Sequence, residues 1–444
     1  MSIHAYVGRI VNLLDPTHNL LLNMDYEEAC RRVRSGDVKA VREIDGQFAI
    51  LTSEGQDVQM ARTIGRPMRY FLAKKAEGPC LYVAERISEI ASALASDGLS
   101  DQFEPSYTRM VPAHHVLKLK LIGCPDPNPQ YDRYLSPTRN SLPKDLDAIG
   151  EAYIGTIYQE LHHWLERLDV AEPIGVMFSG GIDSGAILAL LYSALLKRGE
   201  SPARLKAFTL SIDNAGNDIQ QALNFVEQIG APMLLEVIDT PSNSLDWREA
   251  VRIIEDYKPL DVQAATMGIA LCRGIRQRYP EWKWLIDGDG GDENLKDYPI
   301  EDNPELTIRS VLNNLMLYHE GWGVHAIKHS LTFSGGQSRG HVRTFAPAQH
   351  FGFNGFSPYT LSNVIEVAES IPFIELTDWD HQRLYQLKGE VVRRGVKLIT
   401  GINMPTFEKN RFQHGAVELQ KFTQLFPATE REYRKEFQRT FAGA

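Results

Sequence analysis

From Ile174 onward the chain alternates short apolar runs with stretches whose apolar residues recur every three to four positions. The runs are "IGVMFS", "LKAFTLSI" and "PMLLEVI"; helical spacing follows the first, and "DIQQALNFVEQIG" separates the second from the third. This alternation predicts a parallel sheet covered by helices. Just before it, "DAIGEAYIGTIYQELHHWLERL" has the 3.6-residue spacing of a long helix. The first 120 or so residues follow another rule. There "HAYVGRIV", "GQFAILTS", "VQMART", "RYFLAKK", "CLYVAE" and "HHVLKLKLI" are short, rich in β-branched or aromatic residues, and divided by turn residues. They predict a β-rich unit into which "ISEIASALA" inserts a helix. Cys124 to Asp145 carries five prolines and little periodicity, and reads as a linker. Past about Pro304 the pattern is mostly helical. The expected division is 1–123, a linker at 124–145, and 146–444, with no internal repeat.

Length agrees with two domains, because 444 residues exceed the roughly 250–300 at which one core stops growing. A hydrophobic fraction of 43% and a charged fraction of 23% are those of an ordinary globular protein. The net charge of −10 argues against a nucleic-acid backbone as partner. Cys30, Cys80, Cys124 and Cys272 are scattered without a CxxC pair, which predicts reduced structural thiols and no zinc or disulfide framework. The N-terminus lacks a signal pattern and no apolar run reaches a membrane span. A cytoplasmic location is expected, with small-molecule partners, no nucleic acid and no membrane; a homodimer is compatible with this.

"SGGIDS" (Ser179 to Ser184) interrupts an apolar strand and an apolar helix. Glycines let the backbone curl with its N–H groups inward, and a helix N-terminus adds partial positive charge. The stretch therefore reads as a phosphate cradle at the carboxyl end of a strand. It is no Walker loop, since GxxxxGK[ST] does not occur. Asp183 beside phosphates needs an intervening cation, and magnesium fits. A second strand end, "WLIDGDGGDENLKDY" (Trp284 to Tyr298), carries Asp287, Asp289, Asp292 and Glu293. Carboxylates so crowded repel one another unless a metal or cationic substrate offsets them.

Together these residues resemble the asparagine synthetase family, which includes the β-lactam and carbapenam synthetases. Its SGGxDS signature matches at every fixed position, and "DGDGGDENLKDY" looks like its SGEGxDExFxGY segment. "FSPY" (Phe356 to Tyr359), "YQLKGEVVR" (Tyr385 to Arg393) and "EKNRFQHG" (Glu408 to Gly415) resemble, in order, its VPFLD, GKxxLR and KxxFxxG segments. The resemblance implies an α/β fold: a degenerate Ntn-hydrolase-like β-rich domain, then a doubly wound parallel-sheet ATP-pyrophosphatase domain (adenine nucleotide alpha hydrolase-like, PP-loop) with a helical C-terminal part. It implies ATP and Mg2+ as cofactors. Ser179, Gly180, Gly181 and Ser184 would hold pyrophosphate, and Asp183 and Asp292 would ligate magnesium. Met177 and Leu210 would meet adenine, with Gly288 near the ribose. Lys409 would stabilise charge in acyl transfer, with Lys388 in a supporting role. Asp289 stands where asparagine synthetases carry Glu and β-lactam synthetases Tyr, and a carboxylate there could act as base for an incoming amine. The reaction implied is AMP-forming amide synthesis; ammonia, a separate amine and an internal amine all stay open.

Amidotransferase members of the family begin with a catalytic cysteine after the initiator methionine. Here that position is Ser2, and the nearest cysteine is Cys30. Ile44 to Ile90 still looks like the later half of a glutaminase domain, but no counterpart of RLxIxD or NGEIYN precedes it. The expected role is scaffolding without glutamine hydrolysis. Competing readings are a nucleotide-binding pseudoenzyme, an internally cyclising synthetase and a tRNA-modifying pyrophosphatase. The first conflicts with Asp183, Asp292 and Lys409 occurring together, the last with the acidic balance. The adjacent pairs His114–His115 and His162–His163 lack metal-binding i, i+4 spacing and read as surface or packing residues. "TFSGGQSRGH" reads as a loop near the substrate pocket.

Overall fold

Short strands with both faces apolar can be satisfied only between layers, and residues 9–133 form such a stack. A computed structural model describes residues 8–122, 128–214, 218–298, 300–301, 307–313, 341–407 and 419–442. Strands β1 (Arg9–Asn12), β2 (Ala49–Glu54), β3 (Asp57–Arg62), β4 (Arg69–Lys75), β5 (Gly78–Ala84), β6 (Arg109–Met110), β7 (His115–Lys120) and β8 (Gln130–Arg133) sort into two four-stranded sheets, β1-β5-β4-β6 and β8-β7-β3-β2. Val58, Met60, Leu117 and Leu119 from one sheet meet Tyr70, Leu81 and Val83 from the other in a shared core. On the outer faces, helix α1 (Tyr26–Ser35) sets Ala29 and Val33 against Ile50 and Ala61. Helix α2 (Ile87–Ser96) sets Ile90 and Leu94 against Phe71 and Tyr82. The near-continuous burial of strands such as β4 and β5 follows from being covered on two sides.

One stretch read as linker does more. Gln130–Arg133 pairs antiparallel with His115–Lys118 as an edge strand, and Tyr134 and Leu135 enter the core. The reason is local: the segment between Pro129 and Pro137 is proline-free, so its N–H donors are available to a ladder.

The second unit begins with α3 (Leu146–Leu165) and continues through β9 (Ile174–Met177), α4 (Ile182–Lys197), β10 (Leu205–Ile212), α5 (Asp218–Gln228), β11 (Leu235–Thr240), α6 (Trp247–Ile254), α7 (Pro259–Arg278) and β12 (Trp284–Ile286). After it come α8 (Gly291–Asn294), β13 (Asn354–Phe356), α9 (Ser362–Glu369), α10 (His381–Thr400) and α11 (Glu430–Phe441). The sheet runs β11-β10-β9-β12-β13, and every neighbouring pair is parallel. Apolar residues of α3, α4 and α10 bury one face, and Met267, Leu271 and Ile275 of α7 bury the other. The expected parallel sheet covered by helices is thus present. β13 was not foreseen in "NGF", which is too short and too polar to stand out.

Strand order places the site. From β9 the chain builds outward through β10 and β11, then returns to lay β12 on the opposite side of β9. The order reverses between β9 and β12, where open parallel sheets bind ligands at their carboxyl ends. "SGGIDS" follows β9 and "DGDGGDEN" follows β12, so both loops emerge at that point. Helices α3 and α10 cross beside it so closely that a Cβ on Gly395 would lie 2.3 Å from the Gly150 carbonyl oxygen. The two units are fused as well. Ile87 packs with Val251 and Tyr433, and Glu255 accepts from the N–H groups of Ile87 and Ser88 at 2.6 and 2.9 Å. Gln47 Nε2 donates to Ser357 O at 3.2 Å and Thr360 Oγ1 at 2.7 Å. Among the described residues, no helix is long and apolar enough to cross a membrane.

Candidate functional site

The first wall of the site is the turn after β9. Phe178 N donates to Phe208 O at 2.8 Å, keeping the strand in register until the turn begins. Gly180 then takes φ +74, and a Cβ there would lie 2.8 Å from Ala222 N, so a side chain is excluded on two counts. Helix α4 starts at Ile182 behind Gly181, which supplies no side-chain cap. Its first amides are thereby left to other acceptors, as an anion site requires. The hydroxyls of Ser179 and Ser184 converge at 3.5 Å, and Gly181 N donates to Ser179 Oγ at 3.3 Å. At the neighbouring strand ends, Met177 pairs in register with Phe208, which leaves Leu210 two residues beyond the β9 ladder. Both side chains lie in one apolar cluster.

The second wall is the acidic loop after β12. Asp289 N donates to Asp287 Oδ1 at 3.0 Å, and Thr344 Oγ1 lies 2.8 Å from both Asp287 Oδ2 and Asp289 Oδ2. One hydroxyl has one hydrogen, so donating to one carboxylate leaves its contact with the other in need of a carboxyl proton. The titration of the pair agrees: burial pushes Asp287 up to about 6, and burial together with the Asp287 charge pushes Asp289 up to about 7. Burial and the neighbouring Asp292 likewise raise Glu293 to about 7. Arg343 faces this group. Burial alone would weaken its proton affinity, but Asp261, Asp289 and Glu293 outweigh that and hold the guanidinium more firmly charged.

The loops touch because two glycines permit it. A Cβ on Gly288 would lie 2.7 Å from Ser184 N, and one on Gly291 would lie 2.3 Å from Asp183 Oδ1. Tyr359 OH donates to Asp183 O at 3.1 Å, while Asn294 Nδ2 donates to Tyr359 O at 3.0 Å and Tyr153 OH at 3.2 Å. Where the walls meet, Lys388 of α10 directs its ammonium at Asp183 Oδ2 (2.6 Å), at Asp292, and at Asp297 Oδ2 (3.4 Å). Lys388 is buried. Burial by itself would strip its proton, but the three aspartates outweigh it and hold the ammonium charged well above the usual lysine range.

The fold therefore gathers Ser179, Gly180, Gly181, Asp183, Ser184, Gly288, Asp292 and Lys388 around one point, while the Asp289 side chain meets Thr344. Lys409 lies outside the described residues, as do Ser2, Cys124 and the loop stretch Thr332 to Gly340. Sequence reasoning missed Arg343, Thr344 and Asp297 as parts of the site. The first two arrive from outside any recognised motif; Asp297 stood in the quoted acidic stretch. Cys30 sits half-buried on α1, its thiol raised mainly by burial, unlike an activated nucleophile.

A family model described as asparagine synthase matches residues 159–350. That span includes both loops and Arg343, and ends before Lys388. The chain is also 27% identical over 138 residues to asparagine synthetase [glutamine-hydrolyzing] 1 of Lotus japonicus; the match covers 30% of this chain and 23% of that protein.

Proposed function

We propose, from the premise that residues 159–350 are an asparagine synthetase-like ligase domain, that the protein is an AMP-forming amide synthetase without glutaminase activity. The observation that carries this is the meeting of the glycine turn, the acidic loop and the Lys388 ammonium at one switch point. In this reading the amides and hydroxyls of Ser179 to Ser184 hold pyrophosphate. Adenine lies against the backbone at Met177 and Leu210, with Gly288 near the ribose. A substrate carboxylate attacks the α-phosphate and pyrophosphate leaves. An amine nitrogen then attacks the acyl carbon of the adenylate, AMP departs, and the amide remains.

The donor set suits magnesium: Asp183 and Asp292 are oxygen donors that already converge on one cation, the Lys388 ammonium. When bound, magnesium would neutralise phosphate charge. Lys388 keeps both carboxylates aimed at the phosphate side and adds its own positive charge there, a larger part than a supporting one. Asp289, raised toward neutrality, is suited to take a proton from an attacking amine. Lys409 retains the proposed role of stabilising charge during acyl transfer. ATP–pyrophosphate exchange measured against a panel of carboxylic acids tests the reading. Acid-dependent exchange with AMP as product is expected; ADP formation would overturn it.

A further inference from the structure

A second constellation lies away from the nucleotide loops, where α3 passes the loop before β2. Glu160 and His163 are three residues apart on α3, so they share one helix face. Opposite them stands Asp45, its backbone fixed by Asp45 N donating to Asn23 Oδ1 at 3.0 Å and Leu22 N donating to Asp45 O at 2.9 Å. The carboxylate and imidazole atoms of these three residues lie within 4.8 Å of one another, and among the described residues no other group of three such side chains does so.

The polar accounting shows two carboxylates crowded together with no donor group between them. Glu160 is 3% exposed; its Oε1 accepts from Asn363 Nδ2 at 2.7 Å, whereas its buried Oε2 meets no donor group within hydrogen-bonding distance. Asp45 Oδ1 is buried in the same state, and the Glu160 and Asp45 carboxylates can hydrogen-bond each other only through a shared proton, in the place a cation would take. That Oε2 atom is the one directed at His163 Nδ1, 3.7 Å away. Arg42 turns its Nη2 to Asn363 and Glu366, so its charge reaches Glu160 without a hydrogen bond. A cleft of about 670 Å³ reaches Asp45 and His163 and gives access from solvent.

We propose that Asp45, Glu160 and His163 form a binding site for a divalent transition-metal ion of the zinc class. Two carboxylates and one imidazole suit such an ion better than magnesium, which prefers all-oxygen shells. Zinc bonds of about 2.0–2.1 Å place tetrahedral ligand atoms roughly 3.4 Å apart, so closure from the observed spacing takes small side-chain rotations. Water from the cleft supplies the remaining position. The ion would join the first unit to α3 of the second, so its role is a clasp between units. This site is independent of the nucleotide reading.

The test uses untagged full-length protein stripped with EDTA, then given zinc chloride and desalted. Metal content is read by mass spectrometry and affinity by calorimetry. About one zinc per chain is expected for the unaltered protein, with a raised melting temperature. His163→Ala, at a half-exposed position that folding tolerates, should weaken zinc binding at least about tenfold. Asp45→Asn should do likewise, while Asp183→Asn should leave uptake unchanged. Zinc content indistinguishable between the unaltered protein and His163→Ala would overturn the proposal. So would uptake that depends on Asp183.

Discussion

Lys388 is surrounded by three carboxylates, so its removal exposes their mutual repulsion at once. Breaking a buried ion pair costs about 3–5 kcal/mol; Asp292 is 36% exposed, which puts Lys388→Met near the lower end. The melting temperature should fall, and pyrophosphate exchange should drop by about 100-fold or more. Lys388→Arg should not restore exchange, because a planar fork does not fit a position shaped for a compact ammonium. The Asp287–Asp289 pair makes a pH prediction. These groups titrate at about 6 and 7 in the fold, against about 4 in an unfolded chain. Between those values the folded state binds more protons, so their contribution to stability is full below about pH 4, declines as pH rises to about 7, and is flat above. Asp289→Asn should therefore show a shallower loss of melting temperature between pH 5 and 7.5 than the unaltered protein. At this scale the glycine turn and the acidic loop were legible because their chemistry is local in sequence. Thr344 and Arg343 were not, since their partners are fifty or more residues away and nothing near them marks a site.

Elements carry a different kind of constraint. Gly389 and Gly395 both sit in α10, yet their surroundings differ. A Cβ on Gly389 meets nothing within 4 Å, while one on Gly395 would strike the backbone of Gly150. Gly389→Ala should raise stability by up to about 1 kcal/mol, the helix-propensity gain, and keep exchange activity. Gly395→Ala should lower stability by about 1–3 kcal/mol through overpacking. It should also lower turnover, because pushing α10 off α3 moves Lys388 two turns earlier on the same helix. Paired melts and rate measurements on the two variants check this. Helix α3 and strands β4 and β10 were readable from apolar spacing and from β-branched and aromatic runs. The α3–α10 contact was not, because a glycine in a periodic pattern does not announce which backbone it meets.

At the scale of the molecule, the two units share a buried boundary. Ile87, Val251 and Tyr433 form one cluster, and Phe103 lies tilted against Phe441 with ring centroids 6.1 Å apart. A fragment spanning 146–444 would expose that boundary. It is expected to lose cooperative unfolding in calorimetry, whereas the full chain should unfold in a single transition. Composition could announce two units, but their docking depends on single residues such as Ile87 and Glu255, which periodicity does not distinguish from ordinary core and surface. A last prediction concerns chemistry in the first unit. Incubation with glutamine should release no glutamate, and Ser2→Ala should leave amide synthesis unchanged; release abolished by that substitution would restore a glutaminase.

Gln47 has a historical consequence. Its side chain holds Ser357 and Thr360, which lie on either side of Tyr359, whose hydroxyl holds the Asp183 backbone. We propose no reaction for the first unit, and a unit without one is ordinarily free to be lost over generations. This one has become part of its neighbour's wall. Under the proposed function, substitutions elsewhere on the surface of residues 9–122 would pass unnoticed by selection, while a change at Gln47 would be felt in the adjoining reaction. The unit would then be kept for its shape.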